Sequence, residues 1–283
     1  MIKIALVQMT CGDDPGKNLQ KAEKLVTRSA KTGAHIVALQ ELFNTAYFCS
    51  ETDPDFFRWA QPVPGPATER LCTLAATHGI VILAPLFERV AAGVYYNSLA
   101  VIDADGRLAG VYRKMHIPDD PGFHEKYYFT PGDKGYRVYK TAYGKIGTLI
   151  CWDQWFPEAA RITSMMGADL LVYPTAIATL AGEGEEEKET FMDAWKTVQR
   201  SHAIANGCYV ASINRVGTEN GLTFWGHSFA CGPFGEILAE AGNREEILTA
   251  DLDLAGMEKH RQTWPFFRDR RIDSYTPILK RWS

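Results

Sequence analysis

No stretch of the chain approaches the roughly 18 consecutive apolar residues that a membrane-spanning helix needs, which predicts a soluble, cytoplasmic protein. The opening run Ile2–Met9 is short and lacks a small-residue cleavage site, so it reads as a first strand rather than a signal peptide. Cysteine occurs only as six scattered singles, Cys11, Cys49, Cys72, Cys151, Cys208 and Cys231, with no C-x-x-C pair. In a chain this long that predicts free thiols, not a disulfide framework. The seven histidines are dispersed and no His-Glu-x-x-His occurs, which gives a catalytic metal no support. No glycine loop has dinucleotide or P-loop spacing, so no cofactor is predicted and the chemistry must come from side chains. A formal charge of −4 without a basic run excludes a phosphate-tracking surface, and with it nucleic acid as a partner.

What is present is a globular composition, with 46% apolar residues spread over 283 positions and no linker-like stretch. It predicts a single domain over 1–283, with a C-terminal arm over about 262–283 packed on its own domain or on a neighbouring subunit. Ile2–Met9, a helical stripe over Lys17–Thr32 and the run His35–Leu39 form a strand, helix and strand, hence a parallel pair. Asn44–Pro66 reads as a surface excursion shaping a pocket rim. Ala67–His78 is helical, Ile80–Pro85 is a third strand, and Asp105-Gly106 joins two further strands as a hairpin, making the sheet mixed. Later strands fall at Asp169–Pro174, Cys208–Ile213, Thr223–Cys231, Glu236–Ala241 and Ile247–Leu252, with a helix over Phe191–Asn206 and a short one at Leu254–Arg261.

Three chemically complementary groups lie just beyond strand ends, where open α/β sheets collect functional groups. Glu41 follows His35–Leu39, Lys114 follows Arg107–Tyr112, and Cys151 ends the apolar run Ile146–Ile150, before Pro157 opens a helical segment. Cys151 is expected to be exposed at a strand-to-helix corner. A thiol needs a base, and a tetrahedral oxyanion needs positive charge or N–H donors, so a carboxylate, an ammonium and a thiol divide the work of attacking an amide. Gly226-His227-Ser228-Phe229-Ala230 approaches the elbow of serine hydrolases, but Ser228 continues a strand toward Gly232-Pro233 where an elbow serine should open a helix.

The residues around these three groups carry a resemblance. Ala5–Gln8, Tyr112-Arg113-Lys114, the Cys151 corner, Tyr173–Ala176, Asn214–Gly217 and Gly226–Phe229 resemble the nitrilase superfamily of carbon–nitrogen hydrolases over essentially the whole chain. Within it, His116–Asp119, Glu125–Phe129, Cys151–Glu158 and Phe267–Arg271 are most similar to the N-carbamoylputrescine amidase subfamily. Asp120 departs from that subfamily's usual glycine. A left-handed backbone there would be better tolerated by Asp than by most residues.

The resemblance implies a four-layer α-β-β-α sandwich that assembles into dimers or larger homo-oligomers and uses no cofactor. It implies Glu41 as general base, Lys114 as oxyanion stabiliser and Cys151 as nucleophile, aided by the Trp152 N–H, with Glu125 positioning Lys114 and the substrate nitrogen. The expected substrate is the small molecule N-carbamoylputrescine, cleaved at its ureido C–N bond. Another amidase or ureidase of the superfamily, such as a β-ureidopropionate hydrolase, is the alternative. Specificity belongs to the loops after Lys114 and Pro174, where Asp119, Asp120, Thr175 and Glu183, with Tyr47 and the acids Glu185, Glu186 and Glu187, would meet a cationic tail.

Overall fold

The computed structural model describes residues 1–180 and 182–282. The first half runs β1 (Ile2–Gln8), α1 (Pro15–Lys31), β2 (Ile36–Leu39), α2 (Pro66–His78), β3 (Val81–Ala91), β4 (Val94–Ile102) and β5 (Leu108–Arg113). After a single-turn helix α3 (Glu125–Tyr128) come β6 (Val138–Thr141), β7 (Gly144–Thr148), α4 (Pro157–Met165), β8 (Leu170–Pro174), β9 (Ala178–Leu180), α5 (Glu185–Asn206) and β10 (Tyr209–Ile213). The chain finishes with β11 (Val216–Glu219), β12 (Leu222–Trp225), β13 (Phe229–Cys231), β14 (Ile237–Glu240), β15 (Glu246–Leu252) and α6 (Met257–Thr263).

Two six-stranded sheets result, in the orders β15-β1-β2-β3-β4-β5 and β14-β13-β10-β8-β7-β6. Each is built on three parallel strands, β1-β2-β3 and β7-β8-β10, with antiparallel strands on the flanks. The two halves thus repeat one βαβαβ plan that leaves no repeat in the sequence.

Alternation along the first sheet separates its two faces. Ala5, Val7, Val37, Leu39, Ile82 and Ala84 pack under Leu19, Ala22 and Val26 of α1 and Leu71 and Ala75 of α2. The intervening Ile4, Leu6, Ile36, Ala38, Val81 and Leu83 join Ile146, Leu170 and Val172 of the second sheet, whose cluster continues into Ala159 and Ala160 of α4 and Trp195 and Ala203 of α5. The layers are therefore α-β-β-α, as expected. No helix among the described residues is long and apolar enough to cross a membrane, and the six cysteines are unpaired.

Several expected elements differ. Residues 44–49 are buried, because Tyr47 and Phe48 enter a third apolar cluster in which Phe48 stacks on Phe87 with ring centroids 5.0 Å apart. The anticipated surface excursion therefore starts only after Cys49. The single strand expected over Thr223–Cys231 is two, β12 in a small three-stranded sheet with β9 and β11, and β13 in the second large sheet. His227, at φ +55°, turns the chain from one to the other. Of the predicted C-terminal arm, Ser283 lies outside the described residues; Trp264–Trp282 is largely exposed, with Leu279 at 85% and Trp282 at 90%.

Candidate active site

Glu41, Lys114 and Cys151 follow β2, β5 and β7, whose carboxyl ends the topology directs to one edge of the sandwich. Glu41 is fully buried on a tight turn in which Leu42 takes φ +50°. That turn is held from beneath by Arg215, whose guanidinium donates to the carbonyls of Glu41, Leu42 and Thr45 at 3.0–3.2 Å while pairing with Glu219. Carboxylate Oε1 of Glu41 accepts from Lys114 Nζ (2.8 Å) and Asn97 Nδ2 (2.7 Å). Its Oε2 is buried with no partner among the described residues.

Lys114 is likewise buried completely, and its ammonium reaches Glu125 Oε2 at 2.6 Å as well as Glu41. Glu125 heads α3 and accepts the Tyr47 hydroxyl at 3.1 Å. Two carboxyls thus share one ammonium away from water. Burial opposes the charge on Lys114, but Glu125, Glu41 and Cys151 together hold its ammonium well above the ordinary lysine value. Burial pushes Glu125 up to about 7, against the pull of Lys114 and with Glu41 adding to the rise. Removing one member of such a buried set typically costs about 3–5 kcal/mol, since a charge is left unpaired.

Cys151 is not exposed as anticipated. Only 6% of its surface is open, and its side chain joins the apolar cluster between the two sheets. The corner is a one-turn 3-10 helix over Cys151–Trp155, entered through left-handed backbone at Cys151 (φ +41°). This conformation costs a non-glycine residue about 1–2 kcal/mol and persists where its surroundings enforce it. The first N–H groups of a helix lack intrahelical acceptors, and that of Trp152 stands at this position of the turn. Burial first, then Glu41, pushes the Cys151 thiol well above the ordinary value, with Lys114 and a hydrogen bond from the Ala176 backbone working against them. The sulfur lies within electrostatic reach of Glu41, Lys114 and Glu125.

The other anticipated residues divide. Tyr47 belongs to the buried group through Glu125. Thr175 is buried and its single hydroxyl proton has two acceptors in reach, Tyr173 O (3.1 Å) and Gln154 Oε1 (3.3 Å), and its contribution is to carry Ala176 toward the sulfur. Asp119 is exposed and lies 3.6 Å from His124. Asp120 needs no left-handed backbone: it opens a turn closed by Phe123 N donating to Asp120 O (2.9 Å), with Pro121 at the second position and Gly122 supplying φ +79° at the third. The usual glycine at 120 is therefore dispensable, and the Asp120 Oδ1 is buried without a partner among the described residues. Glu183 is exposed and accepts from Leu180 N (2.9 Å), and neither it nor Asp119 or Asp120 hydrogen-bonds to the buried group. Ser228 is buried, donating to Gln8 Oε1 (2.7 Å) and accepting from Asn214 N (2.9 Å), while His227 pairs with Glu240 instead. It joins the two sheets and has no base.

Asn97 and Arg215 escape a search for reactive groups. The signal for Asn97 is an amide inside the otherwise apolar run Leu99–Ile102 and its aromatic lead-in, since a buried amide requires a partner.

Fold and site together define a hydrolase acting on carbon–nitrogen bonds other than peptide bonds. The carbon-nitrogen hydrolase family model matches residues 3–262, and the chain belongs to that family, within the nitrilase superfamily. It is similar to an N-carbamoylputrescine amidase of Solanum lycopersicum, with 45% identity covering 99% of this chain and 95% of that one. A citrullinase of Francisella tularensis subsp. tularensis is 41% identical, with 99% of each chain covered. Among solved structures, a carbon-nitrogen hydrolase from Helicobacter pylori G27 matches with a TM-score of 0.97 and 45% identity over 100% of this chain and 99% of that one. A mutant amidase from Nesterenkonia sp. AN1, showing covalent addition of the acetamide moiety of fluoroacetamide at its active site cysteine, matches with a TM-score of 0.78 and 27% identity over 98% and 96%.

Proposed function

We propose that the protein hydrolyses N-carbamoylputrescine to putrescine, ammonia and carbon dioxide, with Cys151 as nucleophile. The observation that carries the mechanism is the free, buried Oε2 of Glu41 on a carboxylate whose other oxygen is already taken by Lys114 and Asn97. That oxygen accepts the thiol proton as Sγ attacks the ureido carbon. Lys114 and the Trp152 N–H receive the developing oxyanion. Glu41 returns the proton to the departing nitrogen, leaving a thiocarbamoyl enzyme. Water then gives a proton to Glu41 and its hydroxyl to the carbonyl carbon; the C–Sγ bond breaks as Glu41 returns that proton to the sulfur, and the released carbamic acid decomposes to carbon dioxide and the second nitrogen. Glu125 and Tyr47 keep Lys114 in place and orient the substrate nitrogen. The covalent adduct on the cysteine of the Nesterenkonia relative supports the nucleophile.

The amidase relatives, at 44–45% identity, support the substrate. Asp119 and Asp120, on the loop between Lys114 and Glu125, with Glu183, Glu185, Glu186 and Glu187 beyond β9, supply the negative rim a cationic tail prefers. The citrullinase relative favours a second reading, in which the tail is an amino acid. Ammonia release from N-carbamoylputrescine, citrulline and N-carbamoyl-β-alanine decides between them. The diamine derivative is expected to have the highest kcat/KM, and a preference for citrulline would reverse the substrate assignment. Cys151→Ala should abolish turnover without unfolding the protein; appreciable residual activity would remove Cys151 from the mechanism. The exposed apolar arm after α6 supports a homo-oligomer.

A further inference from the structure

Another buried carboxylate touches both chain segments that bear the nucleophile and the cation. Asp153 is fully buried, two residues after Cys151. Its Oδ2 accepts from the Tyr112 hydroxyl (2.7 Å) and from Ile150 N (2.9 Å). Its Oδ1 accepts from His116 N (3.1 Å) and lies 2.7 Å from His116 Nδ1. Tyr112 and His116 stand two residues before and two after Lys114. Ile150 and Asp153 enclose Cys151, and their backbones close the ring through Asp153 N donating to Ile150 O (3.0 Å).

We propose that Asp153 is a positioning residue that sets the distance and orientation of Lys114 relative to Cys151 by holding both flanks of each. Four contacts occupy two carboxylate oxygens, which is how a buried acid escapes the cost of desolvation. The partners are themselves fixed. The His116 ring lies flat on Phe156 with centroids 3.7 Å apart and planes 5° from parallel, which keeps Nδ1 aimed at Asp153. Burial, then Asp153, pushes the Tyr112 phenol well above its ordinary value, so its O–H remains a donor. The Ile150–Asp153 ring also supplies the constraint that the left-handed Cys151 backbone requires.

The inference rests on Cys151 as nucleophile and Lys114 as oxyanion donor. Asp153→Asn keeps the shape but turns an amide donor toward donors. It is expected to lower kcat by about 100-fold, the cost of misplacing reacting groups by roughly 1 Å. KM should stay near that of the parent while the unfolding midpoint falls, because a buried amide donor is left without an acceptor, and iodoacetamide should alkylate Cys151, followed by peptide mass, with an altered pH profile. His116→Ala should lower kcat in the same way, and His116→Asn, which returns a nitrogen to the Nδ1 position, should restore much of it. Parent-like kcat in folded Asp153→Asn overturns the proposal, as does a loss confined to KM. Should Asp153→Asn not fold, the His116 pair decides: rescue by Asn sustains the proposal, and equal activity of the two variants overturns it. Alkylation separates this from a failure of the nucleophile reading, because a fully active Cys151→Ala enzyme would refute that reading while leaving the effect of Asp153 on Cys151 measurable in the parent background.

Discussion

Glu125 shows how much chemistry one buried side chain can hold. Both atoms facing it, Lys114 Nζ and the Tyr47 hydroxyl, are donors, so its ionised form fits them and its protonated form does not. With burial lifting its titration to about 7, kcat/KM is expected to climb as pH rises through neutrality and then level. Glu125→Gln should be weakly active throughout and lack that inflection; a parent profile flat across neutrality would contradict the assignment. The same shift acts on stability. The folded carboxyl binds a proton more tightly than the unfolded one, so its contribution is present below the unfolded value near 4.5 and is lost as pH rises through about 7. Glu41, Lys114 and Cys151 are legible in the sequence because each is a reactive type beyond a strand end. Their burial is not, since the residues that roof them come from segments far away in the chain.

At the scale of elements, β7 determines where the Cys151 turn begins. It lies so close to α4 and β8 that a Cβ on Gly147 would strike Thr163 and come within 2.8 Å of Leu171 Cδ2 and 3.0 Å of Ala168 Cβ. Gly147→Ala should therefore destabilise the protein by about 1–3 kcal/mol, the usual effect of overpacking, as read from denaturant unfolding. It should also lower kcat, since the displaced strand carries the Cys151 turn; unchanged stability would mean that the helix yields freely. The strands of the parallel cores and their helices follow from hydrophobic period. The β11–β12 hairpin is different: its signal is Asn220-Gly221, both at positive φ, and a search by apolar runs passes over it. Likewise β6 pairs with β7 through only four residues, too few for a period to emerge.

For the whole molecule, a large share of the exposed apolar surface belongs to α4, α5 and the segment after α6. Ile162 and Met165 of α4, Met166 just beyond it and Ile204 of α5 are open, as are Trp264, Ile272, Ile278, Leu279 and Trp282 after α6. A monomer rarely leaves so many large apolar groups in water. Sedimentation is expected to give a mass above the 31.6 kDa of one chain, and Ile278→Asp with Leu279→Asp should lower it. A parent protein sedimenting as a single chain would leave the arm without this role. In the sequence an aromatic, charged tail without helical period leaves its own domain and a neighbouring subunit equally open as what covers it, and the resemblance alone implies an oligomer. The closure of the first sheet has a consequence for biosynthesis. β1 is made well before β15, which occupies its outer edge, with Ile2 opposite Leu252 and Gln8 opposite Glu246. Until the segment through Leu252 has emerged, that edge stays bare and open to wrong partners, so the first sheet reaches its native form only after the second sheet's strands have been made.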